Sequence, residues 1–164
     1  GGFAVPSSVE PGQQNVLFDL PNATLTELRG EGSDTIVVIS DHTLEANVEI
    51  LFMFGGTRGV GNELDNVLVG SDGANRLEGG AGNDTLLGRD GPDIIQGGDG
   101  DDVVRGGAGN DTVSGGAGND RVTGDAGNDR VDGDGGNDGL SGGPGTDACD
   151  GGPGARIAAA LRPG

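Results

Sequence analysis

Apolar side chains recur at every ninth residue between positions 79 and 150. In nine-residue blocks counted from Gly79, the eighth position always holds an apolar residue or the single cysteine. Mostly polar residues stand at positions seven and nine, so each block is predicted to end in a short strand with one inward side chain. Because the period continues without insertion or deletion, we expect stacked repeats. The inward residues are Leu86, Ile95, Val104, Val113, Val122, Val131, Leu140 and Cys149.

The other positions of each block combine glycine with one regularly spaced carboxylate. Glycine stands at positions one and four, and usually at two, which suits a tight turn with left-handed backbone. Aspartate at position six, together with turn carbonyls, gives an all-oxygen donor set that suits a hard cation with six to eight ligands. No histidine or thiolate recurs at metal-ligand spacing, which argues against zinc or copper. Calcium is therefore predicted at Asp84, Asp93, Asp102, Asp111, Asp120, Asp129, Asp138 and Asp147.

The apolar content of a block is too small to hold it folded. Ordering nine backbone units costs about 1–2 kcal/mol each. Burying one aliphatic side chain returns only about 1.5–3 kcal/mol. Cation binding is the compensating source of free energy that the sequence offers.

The repeat G-G-x-G-x-D-x-U-x, where U is apolar, resembles the RTX (hemolysin-type) calcium-binding nonapeptide family. The resemblance implies an all-β fold, a right-handed parallel β-roll (β-solenoid) in which two blocks form one coil and calcium lies between blocks n and n+2. About six sites are implied, three on each edge, bridging Asp84 with Asp102, Asp93 with Asp111, Asp102 with Asp120, Asp111 with Asp129, Asp120 with Asp138 and Asp129 with Asp147. The implied carbonyl ligands are Gly80, Gly82, Gly91, Gly98, Gly100, Gly107, Gly109, Gly116, Gly118 and Gly127.

Some blocks depart from this pattern. Position two is Arg89, Asp125 or Asp134 in three blocks, where a carbonyl ligand is retained in a less relaxed turn. Pro92 and Pro144 fix φ at two further turn positions. The sites at these turns are expected to be less regular than those built on GGAGND.

The chain before the regular blocks divides into a lead-in, 1–21, with one short strand in 16–20, and a region of degenerate first coils with an N-terminal cap, 22–78. The stretch 29–37 (RGEGSDTIV) matches the repeat except at its first glycine, so Asp34 is a further candidate ligand. A chance match is the alternative. The most apolar stretch, 44–54, is expected to cover the open end of the roll. The alternative is a docking surface for an upstream domain.

Two blocks that precede the regular repeats, 61–69 and 70–78, keep the nine-residue step but place Asn66 and Asn75 at position six. An amide oxygen still binds calcium, though more weakly because it carries no charge. By the n, n+2 rule these residues are expected to pair with Asp84 and Asp93.

The roll proper is expected to span 79–150 and to be followed by a C-terminal cap or frayed tail, 151–164, with helical propensity. Arg156 falls at position six of a ninth block, where a guanidinium would repel a cation and end the ladder. Cys149 is interpreted as a small buried hydrophobe. Pairing with a cysteine outside this sequence is the alternative.

Composition and charge decide between order and disorder. The 164 residues include 38 glycines and carry a formal charge of −18. Such acidity with few aromatic residues is typical of disordered chains, but the strict period predicts order that depends on calcium. The strong negative charge disfavours nucleic acid and anionic lipid as partners. No apolar run is long enough to span a bilayer, and a monomer is expected.

No catalytic constellation is predicted. The one histidine, His42, is expected in a surface turn, and no triad or zinc-protease motif is present. The favoured hypothesis is a calcium-responsive structural module that folds outside the cell, where the calcium concentration is high enough to fill weak sites. The alternatives are an adhesion or polysaccharide-binding module, and the non-catalytic tail of a secreted protease, lipase or epimerase.

Overall fold

The structure is a computed structural model that describes residues 16–18, 32–153 and 156–157. Within these residues it contains strands and no helix. No element in this part of the chain could cross a membrane as a helix. The strands are β1 Val16–Phe18, β2 Thr35–Val38, β3 His42–Thr43, β4 Ile50–Met53, β5 Arg58–Val60, β6 Val67–Val69, β7 Arg76–Ala81, β8 Thr85–Asp90, β9 Ile94–Asp99, β10 Val103–Ala108, β11 Thr112–Ala117, β12 Arg121–Ala126, β13 Arg130–Gly135, β14 Gly139–Ser141, β15 Ala148–Asp150 and β16 Arg156–Ile157.

The strands form two parallel sheets. The first has nine strands in the order β1-β2-β4-β6-β8-β10-β12-β14-β16, and the second has seven in the order β15-β13-β11-β9-β7-β5-β3. Beyond β2, successive strands alternate between the sheets, so two blocks complete one coil. In the regular region Thr85 pairs with Val103, which pairs in turn with Arg121, a step of 18 residues. The predicted all-β parallel roll is confirmed.

The core consists of two facing rows of side chains, one from each sheet. Seven of the eight predicted inward residues are at most 1% exposed, and Cys149 at the end of one row is half-buried and packs against the others. The first coils contribute more apolar volume than the repeats, in agreement with their richer sequence. Their buried residues are Ile36, Val38, Leu44, Val48, Leu51, Met53 and Leu68.

The repeat strands are longer than the predicted three residues. A typical strand, β8, continues from positions seven to nine through the first three positions of the next block. Parallel pairing continues there, with Arg89 opposite Gly107 and Asp90 opposite Ala108. The glycine pairs therefore serve the sheet as well as the turn, because identical backbone conformations stack at the coil spacing.

The expectation that 44–54 covers the end of the roll was wrong. Within that stretch, β4 is an interior strand paired on one side with β2 and on the other with β6. Thr35 pairs with Ile50 and Ile50 with Val67, so these coils advance by 15 and 17 residues. Since the irregular coils still place Leu51 inside the roll, the stretch is apolar because it forms core. The predicted strand within 16–20 is confirmed as β1, which pairs with β2.

The last strand corrects two expectations about the C-terminal region. Arg156 and Ile157 form β16, whereas a helical tendency was expected there. Arg156 pairs with Gly139, so in register it occupies position seven and not the ligand position six. The final coil is one residue short, and the argument that the Arg156 guanidinium ends the ladder was wrong. Residues 158–164 lie outside the described chain.

Candidate metal centre

The position-six residues form two columns, one along each edge of the roll. We call the column that precedes strands of the nine-stranded sheet the first edge, and it consists of Asn66, Asp84, Asp102, Asp120 and Asp138. The second edge precedes strands of the seven-stranded sheet and consists of Asn75, Asp93, Asp111, Asp129 and Asp147. All are buried except Asp147, which is half-buried in the last repeat.

Each aspartate on an edge is hydrogen-bonded to its neighbour in the next coil. The backbone N–H of the earlier residue donates to Oδ1 of the aspartate 18 residues later. The six pairs predicted from the sequence are the ones brought together, at 2.7 Å for Asp84–Asp102, 2.8 Å for Asp93–Asp111, 2.8 Å for Asp102–Asp120, 2.9 Å for Asp111–Asp129, 3.0 Å for Asp120–Asp138 and 3.0 Å for Asp129–Asp147.

The second carboxylate oxygen of most of these aspartates accepts no hydrogen bond from the part of the chain that the structure describes. In seven aspartates Oδ2 is buried and has no partner among the described residues: Asp84, Asp93, Asp102, Asp111, Asp120, Asp129 and Asp138. A buried acceptor without a donor costs about 1–3 kcal/mol, and more when it is charged. A column of such atoms therefore requires compensation that the protein's own groups do not supply.

Each unpartnered oxygen lies against the first glycine of its block, so close that the glycine could not carry a Cβ. A Cβ added to Gly97 would overlap Oδ2 of Asp102 and the carbonyl oxygen of Gly115 in the next coil. Gly79 shows the same arrangement with Asp84 and Gly97. The carboxylate and a carbonyl from the adjacent coil thus converge where any larger residue would intrude. These position-one carbonyls were not among the ligands predicted from the sequence.

The predicted glycine carbonyls lie in the narrow gaps between the turns of successive coils. The Gly80 carbonyl oxygen lies against Gly98, and the Gly82 carbonyl oxygen against Gly100, so tightly that neither later glycine could carry a Cβ. Both later glycines have left-handed backbone, with φ of 126° and 135°. All the predicted carbonyl ligands share this positive φ. Among non-glycine residues at position two, Arg89 adopts it at 82°, Asp125 at 71° and Asp134 at 63°.

The ligands available here suit calcium and do not form a metal site made of side chains alone. In the described part of the chain, no three histidine, cysteine, aspartate or glutamate side chains lie close enough to share a metal ion. A site here must combine carboxylates with backbone carbonyls, which is the ligand set of a hard, flexible cation such as Ca²⁺. When bound, calcium would supply positive charge to the buried carboxylate oxygens.

Burial perturbs the acidity of both edges. It raises the pKa of Asp84 to about 7, and of Asp93 and Asp120 to about 6, against the lowering effect of the backbone donor to each carboxylate. The pKa values of Asp102, Asp111 and Asp129 are raised for the same reason. Without a cation these groups therefore take up a proton more readily than an exposed aspartate does.

Sequence reasoning missed a second ladder at position five. Here the N–H of the later residue donates to the side-chain Oδ1 of the residue 18 positions earlier, which is opposite to the direction at position six. The ladder is solvent-exposed and explains why asparagine precedes the aspartate in many blocks. Its bonds join Asn83 to Asp65, Asp101 to Asn83, Asn119 to Asp101, Asn137 to Asn119, Asn128 to Asn110 and Thr146 to Asn128.

The early candidates occupy related places. The N–H of Asp34, which is 3% exposed, donates to Oε2 of Glu49 at 2.8 Å. Glu49 thus takes the acceptor position that an aspartate holds in later coils, and nothing in its sequence context indicated this. Asp34 as a cation ligand remains a prediction. His42 lies in β3, not in a turn, 3.3 Å from Glu45.

Fold and site together define a class: a parallel β-roll whose stacked turns present acidic, oxygen-lined cation sites. A family model described as the RTX calcium-binding nonapeptide repeat matches four overlapping segments, 60–95, 87–122, 106–140 and 123–157, which together cover more than half of the chain. The chain belongs to this family and is a calcium-binding repeat module. No significant match was found among curated proteins or among solved structures.

Proposed function

We propose that this chain is a calcium-responsive folding module of a secreted protein, expanded inside the cell and compact outside it. The observation that carries the proposal is the column of buried aspartate Oδ2 atoms without a hydrogen-bond donor among the described residues. Because buried anions without partners are unfavourable, the cation-free roll is strained by its own carboxylates. Calcium binding and folding are then one coupled equilibrium.

The charge of the whole chain supports the same proposal. A formal charge of −18 on 164 residues makes the compact state self-repulsive. The six sites predicted from the Asp–Asp pairs would supply twelve positive charges where the carboxylates are concentrated. The absence of lysine from the sequence leaves nine arginines as the protein's own cations.

The role we propose is structural rather than catalytic. The carboxylates that could act as acid–base groups are already hydrogen-bonded in the edge ladder and aligned with turn carbonyls. The outward position-seven row follows the predicted register, Thr85, Val103, Arg121 and Gly139, and its chemistry is irregular. A mixed row of this kind favours a folding module over a repetitive adhesion surface. We propose a monomer, with an upstream domain of the same protein as its candidate partner.

A calcium titration of the purified chain tests this function. We expect the radius of gyration to fall from about 40 Å without calcium to about 15–20 Å with it, as for a chain that folds. Far-UV circular dichroism should gain strand signal over the same range, and magnesium at equal concentration should produce little change. An extracellular role requires a midpoint within about 10⁻⁵–10⁻³ M. A cation-free chain that is already compact, or a submicromolar midpoint, would contradict the proposal.

A further inference from the structure

The two asparagines at position six differ in the structure although the sequence places them alike. Asn66 is 1% exposed and Asn75 is 4% exposed. Both donate a backbone hydrogen bond to the aspartate of the next coil, at 2.7 Å to Asp84 and 2.8 Å to Asp93. Their side chains have different partners, and this difference carries the inference.

The side chain of Asn66 is fully engaged with the protein. Its Oδ1 accepts a 2.8 Å hydrogen bond from the backbone N–H of Asn62, and its Nδ2 donates to the Val48 carbonyl at 3.1 Å. The Asn62 amide joins the same group, donating to Glu45 O at 2.7 Å and to Val48 O at 2.8 Å. Amide donors thus occupy the carbonyls of this turn, and Asn66 Oδ1 is already held by a hydrogen bond from the protein.

The side chain of Asn75 has one unused oxygen. Its Nδ2 donates to Ser71 Oγ at 3.1 Å, and this bond orients the amide. Its Oδ1 is buried and has no hydrogen-bond donor among the described residues. A Cβ added to Gly70 would overlap this oxygen and lie close to the Gly88 carbonyl oxygen. The same arrangement surrounds Asp93 and the Gly106 carbonyl one coil later. Asn66 Oδ1 and the Gly79 carbonyl lie in the same way at Gly61, so the two asparagines differ in the hydrogen bonds of their amides and not in the surrounding glycines.

We propose that Asn75 Oδ1, the Gly88 carbonyl and the Asp93 carboxylate form a calcium site between blocks 70–78 and 88–96, and that the equivalent position at Asn66 binds no cation. The ladder of sites therefore begins one step earlier on the second edge than the Asp–Asp pairs imply. With an amide in place of one carboxylate, this site is the weakest of its column, since ligand charge sets calcium affinity. The inference rests on the proposed function, because it assumes that the regular sites bind calcium.

Calcium stoichiometry measured by equilibrium dialysis, with terbium luminescence as a second readout, tests the proposal. Asn75→Leu should bind one calcium fewer than the wild type, and the matched Asn66→Leu should bind the same number. Asn75→Asp should keep the wild-type number and tighten the weakest class of site by about tenfold.

Two results would overturn the proposal: an unchanged count in Asn75→Leu, or weaker binding in Asn75→Asp. Weaker binding would mean that the Asn75 amide is turned over and donates to Gly88, so that the aspartate removes a donor. If Asn75→Leu fails to fold, Asn75→Asp decides alone. A wild-type chain that binds no calcium would instead refute the proposed function, which keeps the two failures separate.

Discussion

The backbone N–H of Asp84 donates a 2.7 Å hydrogen bond to Oδ1 of Asp102, which lies 18 residues further along the chain. The other oxygen of Asp102 is buried and accepts no bond among the described residues. One carboxylate therefore performs two tasks. Oδ1 holds successive coils in register, and Oδ2 remains available for a cation in the gap.

These two tasks can be separated by mutation. Asp102→Asn keeps an oxygen for the Asp84 N–H but removes a charge from the gaps on both sides, so we expect calcium affinity to fall by about tenfold or more, about 1.4 kcal/mol. Asp90→Asn removes the same charge at an exposed position and serves as the matched control. Isothermal titration calorimetry measures both variants. Equal losses in the two would show that only net charge matters.

The first glycine of a block is predicted to be required by the site and not by the backbone. Gly97→Ala places a methyl group against Asp102 Oδ2 and the Gly115 carbonyl oxygen, so it should abolish one site and lower the thermal midpoint in calcium. Gly139 is the matched control, because a Cβ there meets only Asp120 O at 3.8 Å. Gly139→Ala should be neutral or stabilising by about 0.4–1 kcal/mol. A fully calcium-loaded Gly97→Ala variant would contradict this account of the cradle.

The repeated part of the fold was predictable because each level of its sequence agrees with the next. The spacing of Leu86 and Val104 fixes both the coil length and the inward face, and the same period aligns the carboxylates. Where the period breaks, prediction succeeded for the strand within 16–20 and failed for the most apolar stretch. The sequence around Leu51 suggests a cover for the open end of the roll, because it lacks the nine-residue period. The structure places it in coils that advance by 15 and 17 residues, which that period does not indicate.

The missed parts of the site depend on contacts between coils that no local pattern records. Glu49 replaces an aspartate only because a shorter coil brings its longer side chain to Asp34. Asn66 and Asn75 look equivalent in sequence. Their difference follows from the hydrogen-bond partners of each amide, which donates to the Val48 carbonyl in one case and to Ser71 Oγ in the other. The amide networks of the two turns, and with them the number of sites, could not be read from position six alone.

Acidity should act in opposite directions on the cation-free and the calcium-bound roll. The raised pKa values, about 7 for Asp84 and about 6 for Asp93 and Asp120, mean that the folded cation-free chain holds more protons than the unfolded one. The stability that these protonated carboxyls contribute is fully present below pH 3.8, the pKa of an unperturbed aspartate, and is lost as the pH rises through 6–7. With a chelator present, circular dichroism should therefore show more structure at pH 4 than at pH 7.5.

Calcium binding competes with the same protons. Apparent affinity should fall as the pH drops from about 7.5 to about 5, because the cation-free roll regains structure and holds protons on these aspartates. Binding at pH 5 should therefore release protons, whereas binding to the expanded chain at pH 7.5 should release few. Calorimetry in two buffers of different ionisation enthalpy measures the number released. Binding without proton release at pH 5 would show that the carboxylates are already ionised in the free chain.

Stability should fall when a polar group replaces one of the inward side chains of the core. Val113 is fully buried, and Val113→Thr keeps its shape while placing a hydroxyl in the core, which should cost about 1–3 kcal/mol. The neighbouring Thr112 points outward on the same strand, so Thr112→Val should change stability by less than about 0.5 kcal/mol. Urea unfolding in saturating calcium compares the two. Similar losses would contradict the assigned faces of β11.

The first coils should keep structure when calcium is removed. Amide hydrogen bonds and buried apolar side chains stabilise these coils, whereas calcium is expected to stabilise the repeats. Asn62 donates to Glu45 O and Val48 O, and its Oδ1 accepts from Leu64 N–H at 2.9 Å. Asn62→Ala removes one of two donors from each carbonyl, since Glu45 O keeps the Val48 N–H and Val48 O keeps the Asn66 amide, so it should cost about 0.5–1.5 kcal/mol per lost bond. Hydrogen exchange in chelator should then show lost protection around residues 44–60, with the repeats unaffected because they are already open. The matched variant Asn119→Ala, in the exposed position-five ladder of the repeats, should leave that protection unchanged. If residues 44–60 show no protection in chelator even in the wild type, the first coils do not fold without calcium and this prediction is wrong.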